Sequence, residues 1–224
     1  MTTDDGSRIA RDPSATSPAG APLAQAVSER RVALRKALLA QRMQHAPTGR
    51  AQEALLARLQ TELEWRLGGL PAMRDRVMAV YWPIRGEPSL GDLPQRWTQA
   101  GVQLALPVVA GRNLPLQWVA WTPGEPMAAG AFGIPTPAVH RVVRPQVLLV
   151  PCVGFDQRGF RIGYGGGYYD RTLAALSADG QSRPIAIGVA WDEGWLADTE
   201  PLPTDVPMDL VVTPSAVFPS AGRP

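Results

Sequence analysis

Residues 145–171 read PQVLLVPCVGFDQRGFRIGYGGGYYDR, an apolar segment followed by a glycine-rich one. The first part, PQVLLVPCVGF, is the most apolar predicted strand of the sequence. The second part leads into a helix that we expect to continue through Leu173 and Leu176 to about Ser177. A buried strand, a loop and a helix in this order are typical of α/β folds with parallel strands.

Three interpretations of the run RIGYGGGYYDR, residues 161–171, are open. The glycines can form a tight turn, because glycine accepts positive φ. They can also form a nucleotide phosphate site, since ligands of open parallel sheets bind outside the carboxyl ends of strands and helix N-termini attract anions. Asp170 would then hold a divalent cation that bridges the phosphates. A dinucleotide fingerprint fits less well, because Gly163 and Gly165 are followed by Tyr168 where a third glycine is required.

The remaining sequence alternates predicted helices and strands. Amphipathic helices are expected from Ser28 to about Gln44 and from a Thr48 cap through Leu63, and SLGD opens another that reaches Ala100. The other predicted strands are RVMAVYWP, GVQLALPVV, LPLQWVAW, PIAIGVAW and DLVVTP. Residues 122–145 are expected to form an ordered loop. The prediction is an α/β fold, a three-layer αβα sandwich around a mainly parallel, Rossmann-like sheet.

Composition limits both the domain organisation and the chemistry. Residues 1–25 are rich in Ser, Ala, Thr, Pro and Gly and predict a disordered leader, whereas residues 26–224 predict a single domain. Lys36 is the only lysine among 22 basic residues, so a P-loop cannot be built and any phosphate must be held by arginine, backbone amides or a metal ion.

Several classes of protein are disfavoured by the same composition. The single cysteine, Cys152, excludes an intrachain disulfide and a multi-cysteine metal site. The net charge of +2 is small and argues against a nucleic-acid partner. No apolar run is long enough for a membrane span and no signal peptide is recognisable, so we expect a cytoplasmic protein, which we take to be a monomer.

The segment LLVPCVGFDQRGFRIGYGGGYYDRTLA resembles the signature region of the 5-formyltetrahydrofolate cyclo-ligase family. The resemblance extends to RRVALR on the first helix, to VYWPIRGE, and to LALPVV and GAFGIPTP, and it covers all but the leader. It implies ATP- and Mg²⁺-dependent closure of 5-formyltetrahydrofolate to 5,10-methenyltetrahydrofolate, with release of ADP and phosphate through a phosphorylated N5-formyl intermediate. Such a reaction needs positioning and charge neutralisation rather than a nucleophilic side chain.

The resemblance also implies site residues at matching positions. The ATP-binding residues are Arg31, Arg35, Arg161, Ile162, Gly163, Tyr164, Gly165, Gly166, Gly167, Tyr168 and Tyr169, with Arg161 as a phosphate clamp. The substrate-binding residues are Arg35, Trp82, Glu87, Tyr164 and Tyr168. The metal ligands are Asp170 and Asp205, with Asp209 as a neighbour whose part in the metal site is open, and no residue is expected to act as a catalytic nucleophile.

Two positions depart from the family pattern, and two other functions stay open. Arg31 stands where the family usually has lysine, and Thr136 stands where an acid is expected. The main alternative is a non-catalytic protein of the same fold that binds a folate or a nucleotide. A relative of sugar-phosphate isomerases or acyltransferases is less favoured, because Lys36 is poorly placed as a base. The two histidines, His45 and His140, are expected at the surface.

Overall fold

The computed structural model describes residues 20–44 and 49–220, which form five helices and twelve strands. The helices are α1 (Gly20–Gln44), α2 (Gly49–Leu67), α3 (Gly69–Ala72), α4 (Leu93–Gln99) and α5 (Tyr168–Ala178). The strands are β1 (Val77–Ala79), β2 (Gln103–Val109), β3 (Leu116–Trp121), β4 (Met127–Ala129), β5 (Pro135–Pro137), β6 (Val142–Val143), β7 (Val147–Pro151), β8 (Gly154–Phe155), β9 (Arg161–Ile162), β10 (Ile185–Val189), β11 (Leu210–Val212) and β12 (Val217–Pro219).

Eight strands form one sheet in the order β12-β11-β10-β7-β1-β2-β3-β6. The five strands from β11 to β2 pair in parallel. Strands β12 and β3 run antiparallel to their neighbours, and β6 pairs antiparallel with β3. The sheet is therefore mainly parallel, as predicted, although β6 and β12 were not expected from the sequence. Strands β4 with β5 and β8 with β9 form separate two-stranded hairpins.

Side chains that alternate along the central strands divide the core into two layers. Met78 and Leu149 pack in the cluster that receives the buried α2 leucines and Trp97 of α4. Ala79 and Leu148, their neighbours in sequence, pack in the cluster that receives Leu173 of α5. Successive strand residues point to opposite faces, so both faces of the sheet carry apolar side chains. Helices cover each of these faces. The predicted three-layer arrangement is confirmed.

The first helix lies at the carboxyl end of the sheet, where it reaches the glycine loop. Leu38 of α1 packs with Val153, just beyond β7, and with Ile162 of β9. This contact brings the arginines of α1 to the glycine-rich segment, about 130 residues away in sequence. None of the helices in residues 20–44 and 49–220 is long and apolar enough to cross a membrane.

Several predicted boundaries differ from the structure. Helix α1 begins at Gly20 rather than Ser28, so residues 20–25 belong to a helix instead of the leader. Helix α4 begins after SLGD, and Asp92 makes no side-chain cap hydrogen bond. Residues 122–145 are ordered, as expected, and contain the β4–β5 hairpin. The remaining leader residues 1–19, and also His45 and Thr48, lie outside the described residues.

The strand order creates a crevice between β1 and β7. From β1 the chain crosses by α4 to β2 on one side, whereas from β7 it crosses by α5 to β10 on the other side. The segments that leave β1 and β7 therefore diverge at their carboxyl ends. A topological switch point of this kind is where open α/β sheets bind their ligands.

Candidate active site

A cleft of about 1080 Å³ lies at this switch point. Its floor is formed by residues at the carboxyl ends of three parallel strands, namely Tyr81 and Trp82 after β1, Pro107 in β2 and Pro151 in β7. The glycine loop, the residues after β1, the tip of the β4–β5 hairpin and residues 202–206 form its walls. A volume of this size is large enough for substrates of nucleotide or folate size.

The glycine loop, residues 163–167, connects β9 to α5, and two of its glycines are required by backbone conformation. Gly165 has φ 90° and Gly167, which precedes the first residue of α5, has φ 64°. At Gly165 a Cβ atom would lie 3.1 Å from the guanidinium of Arg35. Gly166 has no positive φ, but its Cβ would lie 2.9 Å from the ring of Tyr168. Glycine is thus required at Gly165 and Gly167 by the positive φ, and at Gly166 by the nearby Tyr168 ring.

The two metal-ligand candidates, Asp170 and Asp205, both line the cleft, and each uses one oxygen within the protein. Asp170 Oδ1 forms an ion pair with Arg161 Nη2 at 3.0 Å and accepts a hydrogen bond from the Val206 N–H at 3.1 Å. Asp205 Oδ2 forms an ion pair with Arg31 Nη2 at 2.8 Å and accepts a hydrogen bond from the Leu202 N–H at 2.9 Å. In the described part of the chain, the other carboxylate oxygen of each residue has no hydrogen-bond partner.

The arginines predicted to bind ATP differ in how much of each guanidinium is available. Arg31 is buried, and besides Asp205 it donates to the carbonyls of Thr199 and Glu200 at 2.9 and 2.8 Å. Arg161 is also buried, and besides Asp170 it donates to the Val206 carbonyl at 2.9 Å. The guanidinium of Arg161 therefore uses two of its nitrogens within the protein, and its role as the phosphate clamp stays a prediction.

Arg35 is the most available of the three. It donates from Nε to the Gly163 carbonyl at 2.6 Å and is only half-buried. Burial and the adjacent charge of Arg31 lower the pKa of Arg35, although Asp205 partly opposes this shift. Its terminal nitrogens have no hydrogen-bond acceptor among the described residues. Arg35 can therefore donate to an anion at the glycine loop.

The folate-side prediction places Trp82 and Glu87 on the wall that follows β1. Trp82 is partly exposed to the cleft and contacts Trp121 edge to face at 6.4 Å between ring centroids. Glu87 is only 7% exposed, and its Oε2 accepts a hydrogen bond from the Ile84 N–H at 3.0 Å. Burial raises the pKa of Glu87 from its ordinary 4.5 to about 7, despite this hydrogen bond and the nearby charge of Arg42.

Tyr164 completes this wall with a buried hydroxyl that has no hydrogen bond of acceptable geometry in the described structure. Burial, followed by the nearby charge of Glu87, raises the pKa of the Tyr164 phenol. The guanidinium of Arg85 lies 5.6 Å above the Tyr164 ring. A hydroxyl beside a cleft whose neighbour is the Glu87 carboxyl group can also contact a bound polar ligand.

The structure brings together nearly all predicted site residues. Those that line the cleft are Arg31, Arg35, Trp82, Glu87, Arg161, Gly163, Tyr164, Gly165, Gly166, Gly167, Tyr168, Tyr169, Asp170 and Asp205. Ile162 is the exception, because its side chain is fully buried against Leu38 and Val153 and does not line the cleft. Sequence matching alone could not separate this core position from its neighbours.

Three residues outside the main site were also assigned by the structure. Asp209 does not line the cleft; it pairs with Arg183 and accepts a hydrogen bond from the Ala186 N–H at 2.7 Å, so it supports the sheet. His140 is exposed and lies outside the cleft, as expected. Cys152 is fully buried, and burial raises its thiol pKa to about 11, so an inert core thiol is indicated.

Three further cleft residues were missed at the level of sequence. Two of them are arginines at opposite ends of the glycine loop. Arg85 lies over the Tyr164 ring, and the guanidinium of Arg171 lies 5.0 Å from the centroid of the Tyr168 ring. Phe132, at the tip of the β4–β5 hairpin, is exposed and contacts Tyr168 at 6.2 Å between ring centroids. Arg171 directly follows the metal-ligand candidate Asp170 in the sequence, and this position could have indicated that Arg171 belongs to the site.

Comparison with known proteins connects this site to one family. The sequence profile of the 5-formyltetrahydrofolate cyclo-ligase family matches residues 27–214. The 5-formyltetrahydrofolate cyclo-ligase of Mycolicibacterium smegmatis is 35% identical over 148 residues, 62% of this chain and 74% of the relative. The enzyme of the same name from Escherichia coli K12 is 32% identical over 160 residues, 66% of this chain and 83% of the relative.

Solved structures agree with the sequence relatives. The 5,10-methenyltetrahydrofolate synthetase of Aquifex aeolicus superimposes with a TM-score of 0.67 at 28% identity, over 87% of this chain and 95% of the other. The synthetase of Mycoplasma pneumoniae shares the fold with a TM-score of 0.60 at 23% identity, over 82% of this chain and 98% of the other. The extent of the profile match and the relatives together show that this chain belongs to the 5-formyltetrahydrofolate cyclo-ligase family.

Proposed function

We propose that this protein catalyses the ATP- and Mg²⁺-dependent closure of 5-formyltetrahydrofolate to 5,10-methenyltetrahydrofolate, with release of ADP and phosphate. The observation that carries the proposal is the shared cleft. It joins a buried carboxyl group and a tyrosine hydroxyl on one wall to a glycine loop, an available arginine and two carboxylates on the other. This arrangement can hold a folate and a nucleotide side by side.

The folate ring is assigned to the wall formed by Trp82, Glu87 and Tyr164. The carboxyl group of Glu87 can accept hydrogen bonds from the N–H donors at the edge of a pterin. The Tyr164 hydroxyl lies beside the Glu87 carboxyl group and can also pair with a polar atom of the same ring. Trp82 offers a partly exposed aromatic surface against which a flat ring can pack.

The triphosphate is assigned to the glycine loop. Gly165 and Gly167 keep the backbone free of side chains, and the N-terminal end of α5, an 11-residue helix, favours an anion there. Arg35 is anchored to the loop by its Nε and has terminal N–H groups left for phosphate oxygens. The reaction requires the N5-formyl oxygen of the folate to approach the terminal phosphorus of the nucleotide in the shared cleft.

Mg²⁺ fits the two carboxylates. No group of three or more potential protein ligands occurs among the described residues, so the ion would be held by Asp170, Asp205, phosphate oxygens and water, which is a common arrangement for Mg²⁺. Each carboxylate has one oxygen fixed by an arginine and a backbone N–H and a second oxygen left to bind. When bound, the ion would neutralise charge on the transferring phosphoryl group.

The chemistry then requires no nucleophilic side chain. The formyl oxygen attacks the terminal phosphorus and ADP leaves, which converts a poor leaving group into a phosphate ester. N10 attacks the activated carbon and loses its proton, phosphate departs, and the five-membered ring closes. The protein contributes by orienting both substrates and by supplying arginine charge at the phosphates.

We also propose that the enzyme acts in the cytoplasm as a monomer.

The test is the appearance of methenyltetrahydrofolate absorbance when the purified protein is mixed with 5-formyltetrahydrofolate, ATP and Mg²⁺. One ADP should form for each product molecule, and omission of ATP or addition of a chelator should abolish both signals. Binding of folate and nucleotide without any product would instead support the non-catalytic alternative.

A further inference from the structure

The cleft is lined by five arginines, and nearby carboxylates neutralise only two of them. Arg31 pairs with Asp205, and Arg161 pairs with Asp170. In the part of the chain that the structure describes, Arg35, Arg85 and Arg171 have no carboxylate partner. The single lysine, Lys36, is exposed and does not line the cleft. Arg35, Arg85 and Arg171 are therefore the cleft arginines whose charge is not already balanced by a carboxylate.

Arg171 is held against the second half of the glycine loop. Its Nη2 donates to the Gly166 carbonyl at 2.7 Å, and its guanidinium lies over the Tyr168 ring. Its Nη1 lies 2.6 Å from the place that a Cβ atom of Gly167 would occupy, so the glycine makes room for the guanidinium. Only one of the five N–H donors of Arg171 has an acceptor among the described residues.

The position of Arg171 in its helix also suggests a bound anion. Arg171 is the fourth residue of α5, so its positive charge stands in the first turn. A cation there is unfavourable for the helix itself, because the N-terminal end carries partial positive charge. A bound phosphate would compensate both charges, and the planar guanidinium matches phosphate oxygens in geometry.

We propose that Arg171 binds the phosphate chain of ATP, together with Arg35. Arg35 contacts the loop at Gly163 and Gly165, and Arg171 contacts it at Gly166 and Gly167. The two guanidinium groups thus flank the loop along its length. Arg85 is the poorer candidate, because it lies over Tyr164, at the Glu87 end of the cleft. The inference rests on the proposed function, since it takes ATP as the ligand.

The experiment compares Arg171→Gln and Arg171→Lys with the parent protein. Arg96→Gln serves as the matched control, because Arg96 is exposed on α4 and does not line the cleft. Dissociation constants of ATP, ADP and AMP are measured by calorimetry with Mg²⁺ and without folate. Arg171→Gln should weaken ATP about tenfold or more and AMP by less than about twofold, with Arg171→Lys between the parent and the glutamine variant. Arg96→Gln should match the parent.

ATP affinity of Arg171→Gln within about twofold of the parent would overturn the assignment. A loss of affinity for 5-formyltetrahydrofolate alone, titrated in the same way, would also overturn it. That result would indicate that the charge of Arg171 binds the carboxylates of the folate tail. If Arg171→Gln does not fold, the Arg171→Lys variant is used instead. A lysine variant that binds ATP, ADP and AMP as tightly as the parent would also exclude Arg171 as a phosphate ligand. If the parent protein does not bind ATP, the proposed function itself is contradicted. If the parent catalyses the reaction and Arg171→Gln binds ATP as tightly as the parent, only the role of Arg171 is contradicted.

Discussion

Glu87 shows how burial sets the chemistry of one residue. The side chain is enclosed between the segment after β1 and Tyr164, so its ionised form loses contact with water. With a pKa of about 7, the carboxyl group is present in both protonation states near neutral pH. Either state can accept a hydrogen bond from the folate, but only the ionised state does so with a full charge.

Replacing Glu87 by glutamine should change the pH dependence of stability. The pKa of Glu87 is higher in the folded than in the unfolded protein, so the folded state binds more protons between pH 4.5 and about 7. Stability therefore falls as pH rises through this window, by up to about 3 kcal/mol from this group alone. Glu87→Gln should lose that part of the slope, which denaturant unfolding at pH 5 and pH 8 measures. Identical slopes for parent and variant would refute the buried carboxyl assignment.

Asp170 combines a predicted ligand role with a structural one. Asp170→Asn should reduce turnover on the order of a hundredfold or more, because the amide removes the charge for Mg²⁺. The variant also leaves the buried Arg161 without its carboxylate, which should cost about 1–3 kcal/mol of stability. Turnover against Mg²⁺ concentration and thermal melting test both effects. Asp179→Asn, in an ion pair with Arg144 outside the cleft, is the control and should keep full turnover.

At the scale of elements, the glycine loop joins β9 to α5 and tolerates added atoms unevenly. Gly166→Ala should weaken ATP binding by about 1–3 kcal/mol, because the new methyl must displace the Tyr168 ring from the cleft wall. Gly49→Ala is the control, since Gly49 lies outside the cleft, no atom lies within 4 Å of its added Cβ and its φ is not positive. Calorimetry with ATP compares the two. If Gly166→Ala instead binds ATP normally and unfolds earlier than the parent, the tight-turn interpretation is the better one.

Residues 198–206, which carry Asp205, have no regular secondary structure and are held by side chains from other elements. The buried carboxylate of Asp156 accepts hydrogen bonds from the N–H and hydroxyl of Thr199 at 3.2 and 2.9 Å. Arg158 bridges Asp156 and Asp198, and Arg31 holds the carbonyl of Thr199. Thr199 is thus the point at which this segment is fixed to the β8–β9 hairpin and to α1.

Asp156→Asn should loosen this segment and destabilise the protein by about 2 kcal/mol at neutral pH. Burial alone would raise the pKa of Asp156, but hydrogen bonds from Arg158 and Thr199 outweigh burial and lower it. Because the folded pKa is below the unfolded one, the stabilisation is present above pH 3.8 and is lost as pH falls through the folded pKa. Denaturant unfolding should therefore show a variant deficit that shrinks towards pH 3. A deficit that is constant with pH would indicate a packing effect instead.

At the scale of the whole molecule, we propose residues 1–19 as a dispensable leader ahead of a single α/β domain. The proposed leader is shorter than the sequence suggested, because α1 begins at Gly20. Deletion of residues 1–19 should leave the melting temperature and turnover unchanged. Deletion of residues 1–32 should lower both, because it removes Arg31 from Asp205 and from the carbonyls of residues 199 and 200. Thermal melting and the methenyltetrahydrofolate assay compare the two deletions, and equal melting temperatures would contradict the assigned role of α1.

Much of the fold and of the candidate site could be predicted from sequence, because the relevant signals are local. Apolar strands separated by helices predicted the mainly parallel sheet, and the strand, glycine and helix order of residues 145–171 predicted a ligand loop at its carboxyl edge. Nearly every residue that the family motif named lines the cleft. These features depend on hydrophobic periodicity and backbone freedom, which neighbouring residues determine.

The tertiary structure alone decided which charges are available and which positions are buried. Arg31 and Arg161 look like free cations in the sequence, but Asp205 and Asp170 neutralise them after the chain has folded. Ile162 lies within the glycine motif and yet belongs to the core, because Leu38 of α1 packs on it. Each of these outcomes depends on contact between segments far apart in sequence, and the strength of an ion pair depends on the burial that such contact creates.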